Sequence, residues 1–419
     1  MSRRLLPRIA AALAAVLAAA VGALVAAEPA RAASLTQVTS FGSNPGSLAM
    51  YSYRPDGLTA NAPLVVLLHG CSQDASTYFT NSGWRKYADQ WRFALVLPEQ
   101  NSANNSLKCF NWFQPGDNSR GQGEAASIRS MVAYAVANYG TDASRVFVSG
   151  LSAGGIMTSV MLATYPDVFA GGSVVAGIPY GCANSQSEAT TCQYSPPTKT
   201  AQQWGDLARA GYAGYTGRYP RVAIWHGTSD TTVQPKNATN SRDQWTNVRG
   251  VSQTATATQS LTGSTTLTAY GADEVRLYQV SGMAHGTPVD PGTGADQCGT
   301  AASYFLDTIC EAYYDAVWFG LSNSSGPSTS PSPSTSPSPS VSPSPSISPS
   351  PSKSPSASPS AGPCYTATNY AHTVAGRAYQ SGGYTYANGS NDALGLWNVF
   401  VTTSLRQTGP NFWLKVTAC

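Results

Sequence analysis

Apolar positions along this chain fall into two alternating patterns. Residues 64–68, 93–97, 144–149, 174–175, 222–225 and 275–278 are short, nearly continuous apolar runs. They are too short for helices and lack the alternation of a strand with one wet face, so they read as strands covered on both sides. Between them lie stretches of helical period. The clearest places Ile128, Met131, Val132, Ala135, Val136 and Tyr139 at steps of three and four, with Gly140 as the expected C-cap. Buried strands separated by helices predict an α/β fold with a doubly wound, mostly parallel sheet.

One junction in that pattern carries chemistry. The run 144–149 leads into Gly150-Leu151-Ser152-Ala153-Gly154, and residues 155–162 then read as a helix. Strand, G-x-S-x-G and helix in that order form the nucleophile elbow of an α/β-hydrolase. The sharp turn lifts the serine side chain clear of the backbone, and the helix N-terminus offers free N–H groups to an oxyanion.

A serine nucleophile needs a base and an acid that orients the base. The chain has four histidines, His69, His226, His285 and His372. In an α/β-hydrolase the order is serine, acid, histidine. His69 precedes the serine, His226 precedes every good acid after a strand, and His372 lies beyond a Ser-Pro tract. That selects His285, in a small-residue loop after the run 275–278. Asp230, just past the run 222–225, is the expected acid. Asp206 sits in a helical stretch, 202–210, and Asp290 follows the histidine. An oxyanion hole needs two donors: the N–H of Ala153, after the nucleophile, and that of Cys71, in the loop after residues 64–68.

The chain ends divide it into regions. Arg3, Arg4 and Arg8 precede an Ala/Leu/Val stretch from Ile9 to Ala27, followed by the A-x-A site Ala30-Arg31-Ala32. The stretch is long enough for a membrane anchor, but its alanine richness and the cleavage site favour a signal peptide, 1–32, and secretion. Cleavage takes four arginines and one glutamate from totals of 24 basic and 21 acidic residues, leaving 20 of each. A neutral mature chain has no electrostatic footprint for nucleic acid or a membrane. Residues 33–321 form a catalytic-sized unit. Residues 322–363 are a Ser-Pro repeat expected to be an extended spacer. Residues 364–419 form a small module.

Eight cysteines fit export. No C-x-x-C pair occurs and histidines are scarce, so neither a metal nor another cofactor is expected. Proximity suggests Cys182 with Cys192 and Cys298 with Cys310. Cys364 and Cys419 bracket the terminal module, leaving Cys71 with Cys109, a bridge that would stiffen the donor loop.

The motifs His69-Gly70-Cys71-Ser72-Gln73, Cys109-Phe110-Asn111-Trp112-Phe113, Arg120-Gly121-Gln122-Gly123-Glu124, Gly150-Leu151-Ser152-Ala153-Gly154 and His226-Gly227-Thr228-Ser229-Asp230 occur in one order. From about residue 35 to 320 the chain resembles the polyhydroxybutyrate depolymerase esterase family, whose catalytic domain extracellular acetylxylan and feruloyl esterases share. The resemblance implies Ser152, Asp230 and His285 as triad and Cys71 as an oxyanion donor. Residues 364–419 resemble the substrate-binding domain of extracellular polyhydroxyalkanoate depolymerases. That module is rich in aromatics, of which Trp397, Trp413, Tyr384 and Tyr386 are candidate polymer contacts, while His372 and Arg377 read as structural or polar-contact residues. The expected protein is a secreted monomeric serine esterase acting on an insoluble polyester, most of all short-chain polyhydroxyalkanoate. The alternatives are an acetylxylan or feruloyl esterase acting on plant polysaccharide, and a non-catalytic polymer-binding protein on a hydrolase scaffold.

Overall fold

The computed structural model describes residues 33–323, 362–381, 384–397, 401–409 and 412–419. The expected signal peptide, 1–32, and nearly all of the Ser-Pro segment, 324–361, lie outside the described residues. The described residues fall into two compact units, divided within the Ser-Pro segment.

The first unit is built on a ten-stranded sheet. Its strands are β1 (Thr36–Val38), β2 (Ala49–Tyr53), β3 (Leu64–Leu68), β4 (Ala94–Glu99), β5 (Val146–Leu151), β6 (Gly171–Val175), β7 (Arg221–Gly227), β8 (Ala257–Leu261), β9 (Thr265–Tyr270) and β10 (Val275–Val280). Their order across the sheet is β1-β2-β4-β3-β5-β6-β7-β10-β9-β8. The central strands from β4 to β10 run parallel, and the outer pairs are antiparallel. Each short apolar run of the sequence overlaps a parallel strand, with the runs 93–97 and 144–149 starting one and two residues before theirs. β3 shows why: Leu64, Val66 and Leu68 enter one core, Val65 and Leu67 the other, and all five are buried.

Helices cover both faces. They are α1 (Ala75–Asn81), α2 (Trp84–Trp91), α3 (Gly123–Tyr139), α4 (Ala153–Thr164), α5 (Gln186–Tyr194), α6 (Ala201–Ala210), α7 (Lys236–Arg249) and α8 (Glu311–Phe319). The predicted stripe from Ile128 lies in α3, and Gly140 caps it in the left-handed region at φ 64°. Every residue of α4 is buried, which explains its lack of a polar face. A parallel pair, β11 (Thr287–Val289) and β12 (Phe305–Asp307), follows the main sheet.

The second unit holds two three-stranded antiparallel sheets. One orders β13 (Cys364–Thr368), β17 (Thr402–Gly409) and β18 (Phe412–Val416); the other orders β14 (Ala378–Ser381), β15 (Tyr384–Ala387) and β16 (Ala393–Leu396), with a short helix α9 (Asn369–Val374). Its core is small: Ala378, Ala387, Leu394, Leu405 and Trp413. Trp413, expected to face a polymer, is therefore a core residue at 7 % exposure; alternation along β18 turns it inward and Phe412 and Leu414 outward. Of the other candidates, Tyr384 is exposed, Tyr386 is half-buried and stacked on Tyr379, and half-buried Trp397 donates to Thr373 Oγ1 at 2.9 Å. His372 is buried between Thr403 O and Arg377 Nε, a structural position. Disulfides join Cys71–Cys109, Cys182–Cys192, Cys298–Cys310 and Cys364–Cys419.

Candidate active site

Sheet register brings the site to one edge. Leu68 pairs with Gly150, Leu151 with Val175, Val175 with Trp225, and Gly227 with Val280. The carboxyl ends of β3, β5, β7 and β10 thus lie along a common rim. From them emerge the loops of Cys71, Ser152, Asp230 and His285 respectively, where open α/β sheets place their sites.

Ser152 sits between β5 and α4 with φ 55° and ψ −118°, a strained conformation for a residue with a Cβ. Its neighbours hold it there. The Ser152 N–H donates to Val175 O at 2.9 Å. A Cβ on Gly154 would meet Leu68 O at 2.1 Å, and one on Gly155 would meet Val175 O at 2.5 Å. The glycines after the serine therefore let α4 start flush against the β3 and β6 backbones.

Asp230 and His285 are drawn together by two interlocked loops. Thr228 N–H donates to Val280 O at 3.0 Å and Ser229 N–H to Met283 O at 3.0 Å. A Cβ on Gly227 would lie 2.1 Å from Met283 O. His285 Nδ1 donates to Asp230 Oδ2 at 2.7 Å. Asp230 Oδ1 accepts the N–H groups of Thr232 and Val233, both at 2.8 Å. Burial would raise the pKa of this carboxyl, but the His226 ring 3.4 Å away and the hydrogen bonds from His285 and Val233 hold it well below the usual carboxylate range. Asp230 is thus a fixed anion that sets the imidazole tautomer, with Nε2 left unprotonated to accept a proton. Neither His285 Nε2 nor the Ser152 hydroxyl has a hydrogen-bond partner among the described residues; such catalytic contacts commonly close only in the substrate complex.

The other acids considered lie elsewhere. Asp206 is exposed on α6 and paired with Arg209. Asp290 exchanges backbone hydrogen bonds with Cys298. Sequence reasoning missed the part played by His226. It is buried behind Asp230, its Nε2 2.8 Å from Val233 O and 3.4 Å from Asp230 Oδ2. The shorter contact takes the proton, so the contact with the carboxylate is secondary. The sequence motif held His226 four residues before Asp230, but nothing in it showed that the loop folds back.

Neither expected donor has a hydrogen-bond acceptor among the described residues. Ala153 is the first residue of α4, so its N–H has no intrahelical acceptor. The Cys71 N–H has no acceptor among the described residues, whereas Ser72 N–H donates to Leu107 O at 2.6 Å and Gln73 N–H to Gly70 O at 3.3 Å. Exposed apolar side chains stand beside the site. Leu107, 62 % exposed, is on the segment paired to Ser72, and Tyr304, 46 % exposed, lies with its ring centroid 6.1 Å from that of His285.

Sheet, elbow and rim define an α/β-hydrolase. A sequence model of the family described as "Esterase PHB depolymerase" matches residues 47–266. The chain is 52 % identical over 292 residues to "Poly(3-hydroxyalkanoate) depolymerase C" of Paucimonas lemoignei, covering 69 % of this chain and 70 % of the relative. It is 37 % identical over 276 residues to "Feruloyl esterase B" of Talaromyces funiculosus, covering 64 % and 77 %. Among solved structures, the acetyl xylan esterase from Aspergillus awamori aligns with a TM-score of 0.60 at 30 % identity, over 69 % of this chain and 99 % of that one. The chain belongs to the esterase PHB depolymerase family and is a carboxylic-ester hydrolase.

Proposed function

We propose that this protein is a secreted serine esterase that hydrolyses an insoluble polyester, poly(3-hydroxybutyrate) or another short-chain polyhydroxyalkanoate. One observation carries the mechanism: the Asp230–His285 hydrogen bond stands on the same sheet edge as Ser152 on its strained elbow and the free N–H groups of Cys71 and Ala153. Ser152 Oγ attacks the ester carbonyl carbon while its proton passes to His285 Nε2. The oxyanion is held by the Cys71 and Ala153 N–H groups. Collapse breaks the ester C–O bond, and the departing alkoxy oxygen takes the proton from His285 to become the hydroxyl end of the released chain. Water then attacks the acyl-enzyme, His285 receives its proton and returns it to Ser152, and the acid is released.

The polyester reading is supported by the 52 % identity to a poly(3-hydroxyalkanoate) depolymerase. It is supported too by the terminal unit, which presents Tyr365, Tyr379, Tyr384, Leu396, Phe412 and Leu414 to solvent. In this reading residues 1–32 are a signal peptide, 33–321 the catalytic domain, 322–363 a spacer and 364–419 a polymer-binding module on a monomeric enzyme. The identity to a feruloyl esterase and the likeness to an acetyl xylan esterase favour a second reading, hydrolysis of esters on plant polysaccharide. Clearing of poly(3-hydroxybutyrate) granules, against release of acetate or ferulate from xylan, separates the two. Granule clearing that is abolished in Ser152→Ala supports the first reading; release from xylan without clearing replaces it.

A further inference from the structure

The end of the sheet away from Ser152 carries a surface cavity of about 500 Å³. Its walls come from the residues just before β5, β6, β7 and β10, together with the last turns of α7 and α8. Arg221 opens β7 and Gly227 closes it, so a strand of seven residues separates this rim from the catalytic one by about 20 Å. Four arginines line the cavity: Arg145, Arg218, Arg221 and Arg249. A fifth, Arg276, shares an aromatic face with Arg221. Their guanidiniums lie 5.0 and 4.9 Å respectively from the centre of the Trp318 ring.

The carboxylates beside these arginines are all taken. Asp142 accepts from Arg145 Nε at 2.8 Å. Asp273 accepts a two-pronged bond from Arg276, at 2.8 and 2.6 Å. Glu274 accepts from both Arg218 and Arg249. Arg221 is left over. Among the described residues its guanidinium meets no hydrogen-bond acceptor and no carboxylate within ion-pair range; it lies over Trp318 and 5.9 Å from the centre of the Phe319 ring. Arg249 adds a second unmet donor, because its buried Nε has no hydrogen-bond partner either. Burial and the neighbouring Arg276 guanidinium push the Arg221 pKa down to about 10, which leaves it charged at neutral pH. A guanidinium withdrawn from water without a counter-charge is costly, and an anion entering the cavity removes that cost.

We propose that this cavity binds a small organic monocarboxylate, with the acid's two oxygens on the Arg221 guanidinium and its carbon chain against Phe169 and Phe319. A planar fork of donors matches the two oxygens of a carboxylate. The guanidiniums outnumber the carboxylates here, so the cavity favours an anion. Phe169 and Phe319 give it an apolar floor that a hydrated inorganic anion cannot use. Ester hydrolysis releases acids of this class, and the cavity stands apart from the serine that would make them. The choice of 3-hydroxybutyrate as a probe rests on the proposed polyester reading; the carboxylate class does not.

The test gives the full chain sodium 3-hydroxybutyrate, acetate or ferulate, with 1,3-butanediol as the uncharged control and sodium phosphate as the inorganic one. Melting is followed by differential scanning fluorimetry and affinity by ligand-observed NMR. At about 20 mM, 3-hydroxybutyrate should raise Tm by roughly 2–5 °C if its Kd is on the order of 1 mM, and the diol should not move it. Arg221→Met keeps a flexible apolar contact with Trp318 but not the charge. It should melt with the wild type when no acid is present, lose the shift, and hydrolyse p-nitrophenyl butyrate within about twofold of the wild-type rate. Arg221→Lys keeps the charge but not the fork and should bind the acid about tenfold more weakly. No shift with any of the three acids, a shift that survives in Arg221→Met, or an equal shift with phosphate overturns the proposal. If Arg221→Met does not fold, Arg221→Lys decides, and undiminished affinity overturns it. A shift with acetate or ferulate but not with 3-hydroxybutyrate, lost in Arg221→Met, supports the site and counts against the polyester reading. Granule clearing is no part of the readout, so failure of that reading leaves the binding result standing.

Discussion

A buried carboxylate that accepts three short hydrogen bonds cannot easily take a proton, and Asp230 is held in that state. Two bonds come from its own loop and one from His285. Asp230→Asn keeps the size but can present an N–H to His285, which favours the wrong tautomer. Turnover of a soluble ester should fall by roughly 10⁴, as in the best-studied serine triad, with folding retained. A loss of less than tenfold, measured by steady-state kinetics, would show that the His285–Asp230 bond does not serve the reaction. At this scale the sequence was uneven. Ser152 was legible because the G-x-S-x-G spacing encodes a backbone turn. Asp230 and His285 were legible by chain order after strands. His226 was set aside by the same order, because its place behind Asp230 depends on how the loop folds back.

Beneath the rim, α8 carries two buried acids one turn apart. Glu311 accepts from Ser149 Oγ at 2.9 Å and Trp84 Nε1 at 3.2 Å, and Asp315 accepts from Trp225 Nε1 at 3.1 Å. The helix thus ties β5, three residues before Ser152, to β7, five residues before Asp230. Burial, with the neighbouring Asp315 carboxyl, raises Glu311 well above the usual range. The fold holds this proton more tightly than the unfolded chain does. Its stabilisation is therefore complete below the unfolded carboxyl pKa of about 4.3 and is lost as pH rises through the folded value. Glu311→Gln keeps a neutral group of the same shape. The fall in Tm between pH 6 and pH 9 should be smaller in this variant than in the wild type, measured by differential scanning fluorimetry; parallel curves would refute the assignment. The central strands were legible as elements because burial on both faces makes them uniformly apolar. β1, β2, β8 and β9 were not. They lie at or next to the sheet edges, and β8 and β9 alternate rather than run apolar, with Thr258, Ser260, Thr266 and Thr268 among their residues.

At the scale of the molecule, the candidate site and the candidate polymer contacts fall in separate units. Ser152, Asp230, His285 and both candidate donors lie in the first, and its hydrogen-bonded elements end at residue 323. A chain ended there should hydrolyse p-nitrophenyl butyrate at the full chain's rate and lose most of its activity on solid polyester, because a tethered binding unit raises effective concentration at a surface. Equal granule clearing by the two, followed by turbidity, would remove the terminal unit as an anchor. The division was legible as a shift to Ser and Pro, and the unit's closure as the Cys364–Cys419 spacing. Which aromatics face outward was not legible. A core of five side chains draws in one tryptophan, Trp413, and the strand register that selects it is set by tertiary pairing.

The central claim is that Ser152 is the nucleophile on a poised elbow. It is tested most directly by reacting the purified protein with a p-nitrophenyl phosphonate ester and mapping the adduct by peptide mass spectrometry. The account predicts one phosphonyl group per chain, on the peptide containing Ser152, with esterase activity lost in proportion to labelling. Stoichiometric inactivation with the adduct on another residue, or full labelling of Ser152 with activity intact, would contradict it.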